Sequence, residues 1–313
     1  IRKGRGGEAF LPIARLRAGT GLSHAHVAWE RLPFVRDAIK QRWLGCRASS
    51  PPTLFSAYKM SDKAVCIVFF SYFYNLLLIK RMEKLFLLDA YALIYRAYYA
   101  FIRAPRINSK GQNTSAIFGF VNTLEDVLRK EQPTHIGVAF DPKGGTFRHE
   151  MYAPYKAQRE ETPEDIRASV PIIKDILRAY RIPILEVPGY EADDVIGTLS
   201  HQADALGIKT YMMTPDKDYG QLVTENALIY RPKFGDKEFE VMGIERVKEK
   251  FGIERPEQVI DLLGLMGDFS DNIPGCPGVG EKTAQKLIAE FGDIPTLLAR
   301  RDELKGALRK KVE

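Results

Sequence analysis

The chain has 313 residues, 45% hydrophobic and 27% charged, with three widely spaced cysteines (Cys46, Cys66, Cys276); this is the balance of a globular protein of about two domains. It excludes collagen-like, low-complexity and wholly disordered chains, a disulfide scaffold and a cysteine-rich zinc site, and it points to a reducing compartment. The net charge of +6 is lopsided: residues 1–81 hold 14 Lys/Arg against 4 Asp/Glu, a net of +10, and the remainder hold 32 against 36, a net of −4, so the basic pI is no argument for nucleic-acid binding by the larger part.

Residues 1–62 are rich in Arg and Ala and carry no sustained helical or strand period. Both tryptophans, Trp29 and Trp43, lie ahead of residue 82. Ala64 to Ile79 (AVCIVFFSYFYNLLLI) is a mostly apolar run of 16 residues between Lys63 and Lys80-Arg81. It is shorter than the roughly 18 residues wanted for a spanning helix, and Ser71 and Asn75 interrupt it. A secretory signal would stand at the extreme N-terminus and end in small residues. Phe, Tyr, Asn, Ile and Lys crowded before Met82 are what translated AT-rich DNA would give. Residues 1–81 are therefore expected to be non-native or disordered, with no membrane attachment.

A regular alternation begins after Met82. Leu85–Leu88 reads as a short buried strand ending in Asp89, Ala92 to Phe101 as a helix, Asn108–Gly111 as a turn, and Thr114 to Lys130 as an amphipathic helix. His135–Phe140 is a second apolar strand ending in Asp141, and residues 142–163 are polar, basic and aromatic without a period. Pro163 opens a helix to Tyr180, and Ile184–Val187 is a third strand. Glu191 to Leu206 is a helix closed by Gly207, and Ile208–Thr214 is a fourth strand, with Asp216 and Asp218 just beyond. Short strands alternating with helices predict a mostly parallel α/β sheet flanked by helices. In such sheets ligands bind beyond the carboxyl ends of the strands. A single Asp there is ordinarily a cap or turn former. Three of them on one edge (Asp89, Asp141, Asp216) would repel one another without a counter-ion.

The acids go on accumulating. Glu191-Ala-Asp193-Asp194 opens a helix, where one carboxylate would satisfy the dipole and the free N–H groups; three in four residues is excess. Asp268 and Asp271 follow in Gly-Asp-Phe-Ser-Asp-Asn. Nine carboxylates brought together would need cations, and oxygen donors without paired His or Cys select hard ions, Mg²⁺ or Mn²⁺. So many acids suit two ions, which at about 4 Å apart stabilise both the attacking and the leaving oxygen of a phosphoryl displacement. Water is then the expected nucleophile, since no Ser/His/Asp or Cys/His arrangement competes.

Two further segments fit a phosphate polymer. Lys143 to Arg159 interleaves Phe147, Arg148, His149, Tyr152, Tyr155, Lys156 and Arg159. On most proteins such a loop is only a solvated face. Beside an acidic cluster, its cations can neutralise phosphates and its rings can stack on unpaired bases. Residues 274–290 place Gly278-Val279-Gly280 before an amphipathic helix with Ala284, Leu287 and Ile288 on one face. Backbone N–H groups of such a turn are open to phosphate oxygens. With Leu262, Leu263 and Met266 on a helix before it, this reads as a helix–hairpin–helix, which grips duplex backbone without reading sequence.

Five collinear stretches then identify a family: LLDAYALIYRAYYA, VAFDPKGGTFRHEMYAPYKAQR, VPGYEADDVIGTL, TPDKDYGQL and GDFSDNIPGCPGVGEKTAQKL. Residues 82 to about 313 resemble the 5′→3′ exonuclease domain at the N-terminus of bacterial DNA polymerase I, within the flap-endonuclease superfamily. The resemblance implies a PIN-like sheet with a helical arch and a C-terminal helix–three-turn–helix region. It implies a catalytic domain over 82–254, with an arch near 143–163, and a duplex-binding region over 255–313 that the chain cuts short. By motif, Asp89, Asp141, Glu191, Asp193, Asp194, Asp216, Asp218, Asp268 and Asp271 match the family's metal ligands. Asp141, Glu191, Asp193 and Asp194 fall to the first ion, Asp216, Asp218, Asp268 and Asp271 to the second, with Asp89 at or behind the first.

Lys156 matches the arch lysine that approaches the scissile phosphate and, with Arg148, Asp141 and Asp194, is among the expected catalytic groups. Arg148, Tyr155, Lys156 and Arg159 match the strand clamp. Gly278, Val279, Gly280, Lys282 and Thr283 match the duplex hairpin, where this superfamily often holds K⁺. The expected partner is DNA with a 5′ flap, nick or RNA-primer end, bound by a monomer in the bacterial cytoplasm at the nucleoid. The expected product ends are a 5′-phosphate and a 3′-hydroxyl. Residues 1–81 have no family counterpart, and a polymerase does not follow within this chain. The rival readings are a stand-alone flap endonuclease, an RNA-cleaving nuclease on a similar acidic sheet, which the glycine hairpin counts against, a DNA-holding module that does not cut, and a membrane-attached protein if Ala64–Ile79 is an anchor.

Overall fold

The structure is a computed structural model describing residues 83–232, 239–304, 306, 309 and 312. Residues 1–81, with the apolar run at 64–79, lie outside the described residues. Among the described residues no helix is long and apolar enough to cross a membrane.

Strand β1 (Lys84–Asp89) is the hub of a six-stranded sheet. Its Phe86, Leu87 and Leu88 are all buried, because helices cover both faces and no position is left for a polar side chain. The period of two divides them: Phe86 and Leu88 join one core and Leu87 the other. β2 (His135–Ala139), β3 (Ile184–Leu185), β4 (Lys209–Met213) and β5 (Ala227–Pro232) run parallel to it in the order β3-β2-β1-β4-β5. β6 (Phe239–Met242) closes the far edge antiparallel. The register sets Asp89 opposite Ala139 and Leu88 opposite Met213, so β1, β2 and β4 end nearly flush. Asp89, Asp141 and Asp216 therefore leave the same sheet edge, as expected. The order reverses between β1 and β4, which puts the crevice of an open α/β sheet between Asp89 and Asp216.

Helices α1 (Ala90–Ala100), α2 (Ser115–Lys130) and α4 (Glu164–Ala179) carry Leu93, Ile94, Phe120, Leu124, Ile166, Ile173 and Leu177 into the core on the Phe86 face. Each such side chain contributes about 1.5–3 kcal/mol on burial. Gly119 lets α2 approach α1 closely, for a Cβ there would stand 2.6 Å from that of Ala97. α4 runs unbroken through Pro171, which is exposed, so the carbonyl that its missing N–H leaves free lies on the solvent side of the helix. On the opposite face, α5 (Ala192–Ala205) packs Ile196 against Leu87 and Met212.

The segment read as an arch holds one short helix, α3 (Phe147–Met151), and otherwise turns. Gly144-Gly145, Pro154 and Pro163 limit its helical length. The region 219–257, unassigned from sequence, contains β5, β6 and α6 (Ile244–Phe251). Beyond it come α7 (Gln258–Met266), a two-stranded hairpin of β7 (Gly267–Asp268) and β8 (Ile273–Pro274), α8 (Glu281–Phe291) and α9 (Ile294–Ala299). Leu262, Leu263, Leu287, Ile288 and Phe291 continue the core that Ile196 and Met212 begin.

Candidate functional site

The carboxylates form two hydrogen-bonded groups along the carboxyl edge of the sheet. The first is built on the start of α5. Asp141 Oδ1 accepts from Ala192 N at 2.7 Å, so a strand-end acid caps the neighbouring helix. Asp194 Oδ2 accepts from Glu191 N at 2.9 Å. All four acids thus take part at this helix start: Asp141 and Asp194 cap it, Glu191 is its N-cap residue in a capping box with Asp194, and Asp193 Oδ1 accepts from Asp194 N at 2.7 Å, which is more acid than the free N–H groups need. Arg148 forks onto Asp194 (Nη1–Oδ2 2.7 Å, Nη2–Oδ1 2.9 Å) and reaches Glu191 at 3.8 Å and Asp193 at 4.0 Å. Lys156 Nζ donates to Glu191 Oε2 at 2.8 Å. Tyr155 Oη lies 3.0 Å from both Glu191 Oε2 and Asp271 Oδ2, and Arg159 Nη2 donates to Asp271 Oδ1 at 2.7 Å.

The second group is built on β1, β4 and the β7–β8 hairpin. Asp89 caps α1 through Ala92 N and accepts from Thr214 Oγ1 at 3.1 Å. Thr214 Oγ1 in turn accepts from Asp216 N, and Asp216 Oδ1 accepts from Asp218 N at 3.0 Å. Lys217 Nζ stands 3.0 Å from Asp268 Oδ2, and Asp268 is buried. Asp271, expected with this group, is joined by Tyr155 to Glu191 as well, so it links the two.

Burial and crowding move these acids in opposite directions. Asp89 is pushed up to about 7 by burial, with the charges of Asp141 and Asp216 adding to it. Asp218 is also pushed up to about 7, by burial and then by Asp216 and Asp268. Asp141 and Asp193 are raised, chiefly by burial. Glu191 and Asp268 are buried too, yet Lys156 and Lys217 respectively pull them below the ordinary carboxylate range. The cations respond in kind: Arg148 and Lys217 are both held protonated more firmly than usual by the acids around them, against the effect of burial.

Two expected DNA contacts are placed differently. Tyr155 was expected to offer its ring to a base, but only 4% of the residue is exposed, because its hydroxyl is drawn between Glu191 and Asp271; here it is a brace. Val279 is 5% exposed and belongs to the core, so the hairpin offers backbone there and no side chain. Gly278 takes φ +69°, open only cheaply to glycine, while Gly280, Lys282 and the partly exposed Thr283 face the surface at the start of α8. Sequence reasoning passed over Thr214, Lys217 and Tyr219. Tyr219 lies fully buried near Asp89, Asp193 and Asp216, with a hydroxyl that has no hydrogen-bond partner among the described residues. The stretch TPDKDYGQL contains all three, but its acids alone exceed what caps and turns need.

Among the described residues no three His, Cys, Asp or Glu side chains form a ready-made cage for a metal ion. Arg148, Lys156, Arg159 and Lys217 stand among the carboxylates as counter-ions instead. The donor set still suits a hard divalent ion. It is all oxygen, and Asp218 Oδ1 is buried with no hydrogen-bond partner among the described residues. Asp89 and Asp218 remain the acids least relieved by a cation.

A family model described as "5'-3' exonuclease, N-terminal resolvase-like domain" matches residues 84–252, and one described as "5'-3' exonuclease, C-terminal SAM fold" matches residues 254–313. DNA polymerase I of Bacillus caldotenax is 44% identical over 230 residues, covering 73% of this chain and 26% of that protein. The 5'-3' exonuclease of Aquifex aeolicus (strain VF5) is 42% identical over 217 residues, covering 69% of this chain and 73% of that protein. The chain thus spans about a quarter of the polymerase relative's length. Among solved structures, T5 5'-exonuclease with bound zinc ions is similar in fold, with TM-score 0.60 and 22% identity over 74% of this chain and 84% of that one.

Proposed function

The chain belongs to the 5′-3′ exonuclease family, with its PIN-like α/β fold, and from that premise we propose a metal-dependent, structure-specific nuclease that cuts DNA at a 5′ flap, nick or RNA-primer end. The observation that carries this reading is the pairing of Arg148, Lys156 and Arg159 with Glu191, Asp194 and Asp271 at the carboxyl edge of the sheet. Phosphate-binding cations and metal-binding acids meet there in one place. The nine acids named from sequence would hold two Mg²⁺ or Mn²⁺ ions. Such ions supply a water of lowered pKa and positive charge for the leaving oxygen.

The chain's own residues do the rest. Water oxygen joins phosphorus and the P–O3′ bond breaks, leaving a 5′-phosphate and a 3′-hydroxyl. Lys156 and Arg148, released from their carboxylates, offset the charge that grows on the phosphate oxygens. Arg159 neutralises the phosphate of the 5′ strand. Residues 82–254 form the catalytic part in this reading, and 255–313 the duplex grip. The backbone N–H groups at Gly278–Gly280 and the ammonium of Lys282 meet the duplex phosphates, with K⁺ as the candidate ion at that turn. A single chain in the cytoplasm, at the nucleoid, suffices for this work.

The test is cleavage of a 5′-labelled flap duplex by the full chain, with Mg²⁺ and with EDTA, beside Asp194→Asn. Product that requires metal and disappears in the variant is expected. Flap binding without product in Mg²⁺ would leave the rival, a DNA-holding module.

A further inference from the structure

Phe269 stands in the turn between Asp268 and Asp271 and takes no part in the chemistry above. It is 90% exposed, the most exposed of the large hydrophobic side chains among the described residues. A ring left in water gains nothing for the fold, since burying a Phe is worth about 1.5–3 kcal/mol. Its backbone, by contrast, is fastened on every side. Ser270 N donates to Asp268 Oδ1 at 2.7 Å, and Asn272 N to Phe269 O at 3.2 Å. From the basic segment, Gln158 Nε2 donates to Phe269 O at 2.6 Å and Arg159 Nε to Ser270 O at 3.1 Å. Asn272 Nδ2 and Lys156 N complete the tie, to Pro154 O and Asp271 O. The turn is a rigid mount for an exposed ring.

We infer that Phe269 stacks on a nucleobase at the cleavage junction and so favours ends whose first base is unpaired or frayed. This rests on the nuclease reading above. The charges beside the ring select the partner. Lys217 and Arg159 flank it through Asp268 and Asp271, with 40% and 52% of their side chains exposed. An exposed ring on a turn whose two acids each hold a cation is the pattern that meets a base and its neighbouring phosphates. A paired base already stacked in the duplex has no free face to give, so the gain falls on ends that open easily.

The experiment compares the full chain with Phe269→Ala and Phe269→Trp. Flap substrates carry 2-aminopurine as the first unpaired base or as a base ten pairs into the duplex. Phe269→Ala should raise KM for the flap roughly 5- to 150-fold, with the loss in KM rather than kcat, while Phe269→Trp keeps KM near the parent value. In EDTA, binding should change the fluorescence of the unpaired 2-aminopurine with the parent and Trp chains and not with the Ala chain. The distant probe should respond to none. Equal melting temperatures certify the fold. A KM for Phe269→Ala within twofold of the parent, or an unpaired-base signal that survives in that variant, overturns the inference. Failure of the nuclease reading shows separately, as no product from the parent chain, and the EDTA titration still decides the stacking.

Discussion

Asp218 shows what burial on the acidic edge costs when the neighbouring ammonium of Lys217 pairs with Asp268 instead. One of the Asp218 oxygens is buried and unpaired, and its carboxyl is pushed up to about 7, as is that of Asp89. A carboxyl whose pKa rises on folding favours the folded state only while it holds its proton. Its contribution is complete below about 4, the unfolded value, and is lost as pH climbs through 7. Glu191 and Asp268 are shifted the other way, and their contributions are lost only under more acid conditions. In EDTA the melting temperature should therefore fall from pH 5 to pH 8. Added Mg²⁺ should restore more at pH 8, where it no longer competes with protons. A melting temperature that climbs steadily over that range in EDTA would show Asp89 and Asp218 to be well solvated. The acids were legible because their number exceeds what capping needs. Lys217, Thr214 and Tyr219 were not, because a lysine between two aspartates and a strand-end threonine have ordinary surface roles until the neighbours they touch are known.

At the scale of elements, the hairpin that carries Asp268 depends on two glycines facing each other. A Cβ on Gly275 would stand 2.2 Å from Met266 C and 2.4 Å from Gly267 N, both backbone atoms that cannot swing aside. Gly275→Ala should cost about 1–3 kcal/mol, visible as a melting temperature lower by several degrees, and should lower cleavage by moving Asp268. Gly280→Ala is the control. It has nothing within 4 Å of the added Cβ and a negative φ, so its melting temperature should barely change. Equal melting temperatures for the two variants would mean that β7 and β8 are not held this closely. The strands β1 and β2 were legible because each is a consecutive apolar run, the mark of a sheet covered on both faces, and β4, which opens on Lys209 and Thr210, because Gly207 closes the helix before it and Tyr211, Met212 and Met213 follow. β5 and β6 were missed because their mixture of polar and apolar residues, with an edge strand beside them, dilutes that mark. The helix through Pro171 was legible because the amphipathic period continues past the proline.

At the scale of the molecule, charge decides how DNA is held. Residues 82–313 carry a net −4, so long-range attraction is weak there and affinity must come from cations gathered locally. Each Lys or Arg that neutralises a phosphate adds about 0.9 to the slope of log affinity against log salt. Lys282 is exposed at the start of α8, apart from the acidic edge, and has no share in the ion pairs that occupy Arg148, Lys156 and Lys217. Lys282→Ala should therefore reduce that slope by about 1, equally for flap and for plain duplex, and leave the metal requirement of cleavage intact. Residues 1–81, with their net +10, should act in the opposite sense. Their removal should flatten the slope by several units while the preference for a flap over a plain duplex holds, since scattered positive charge binds any phosphate chain alike. Fluorescence anisotropy from 50 to 300 mM salt measures both. A slope unmoved by Lys282→Ala would take the glycine hairpin out of the duplex interface. A flap preference lost with residues 1–81 would make that segment part of the recognition surface rather than an appendage to it.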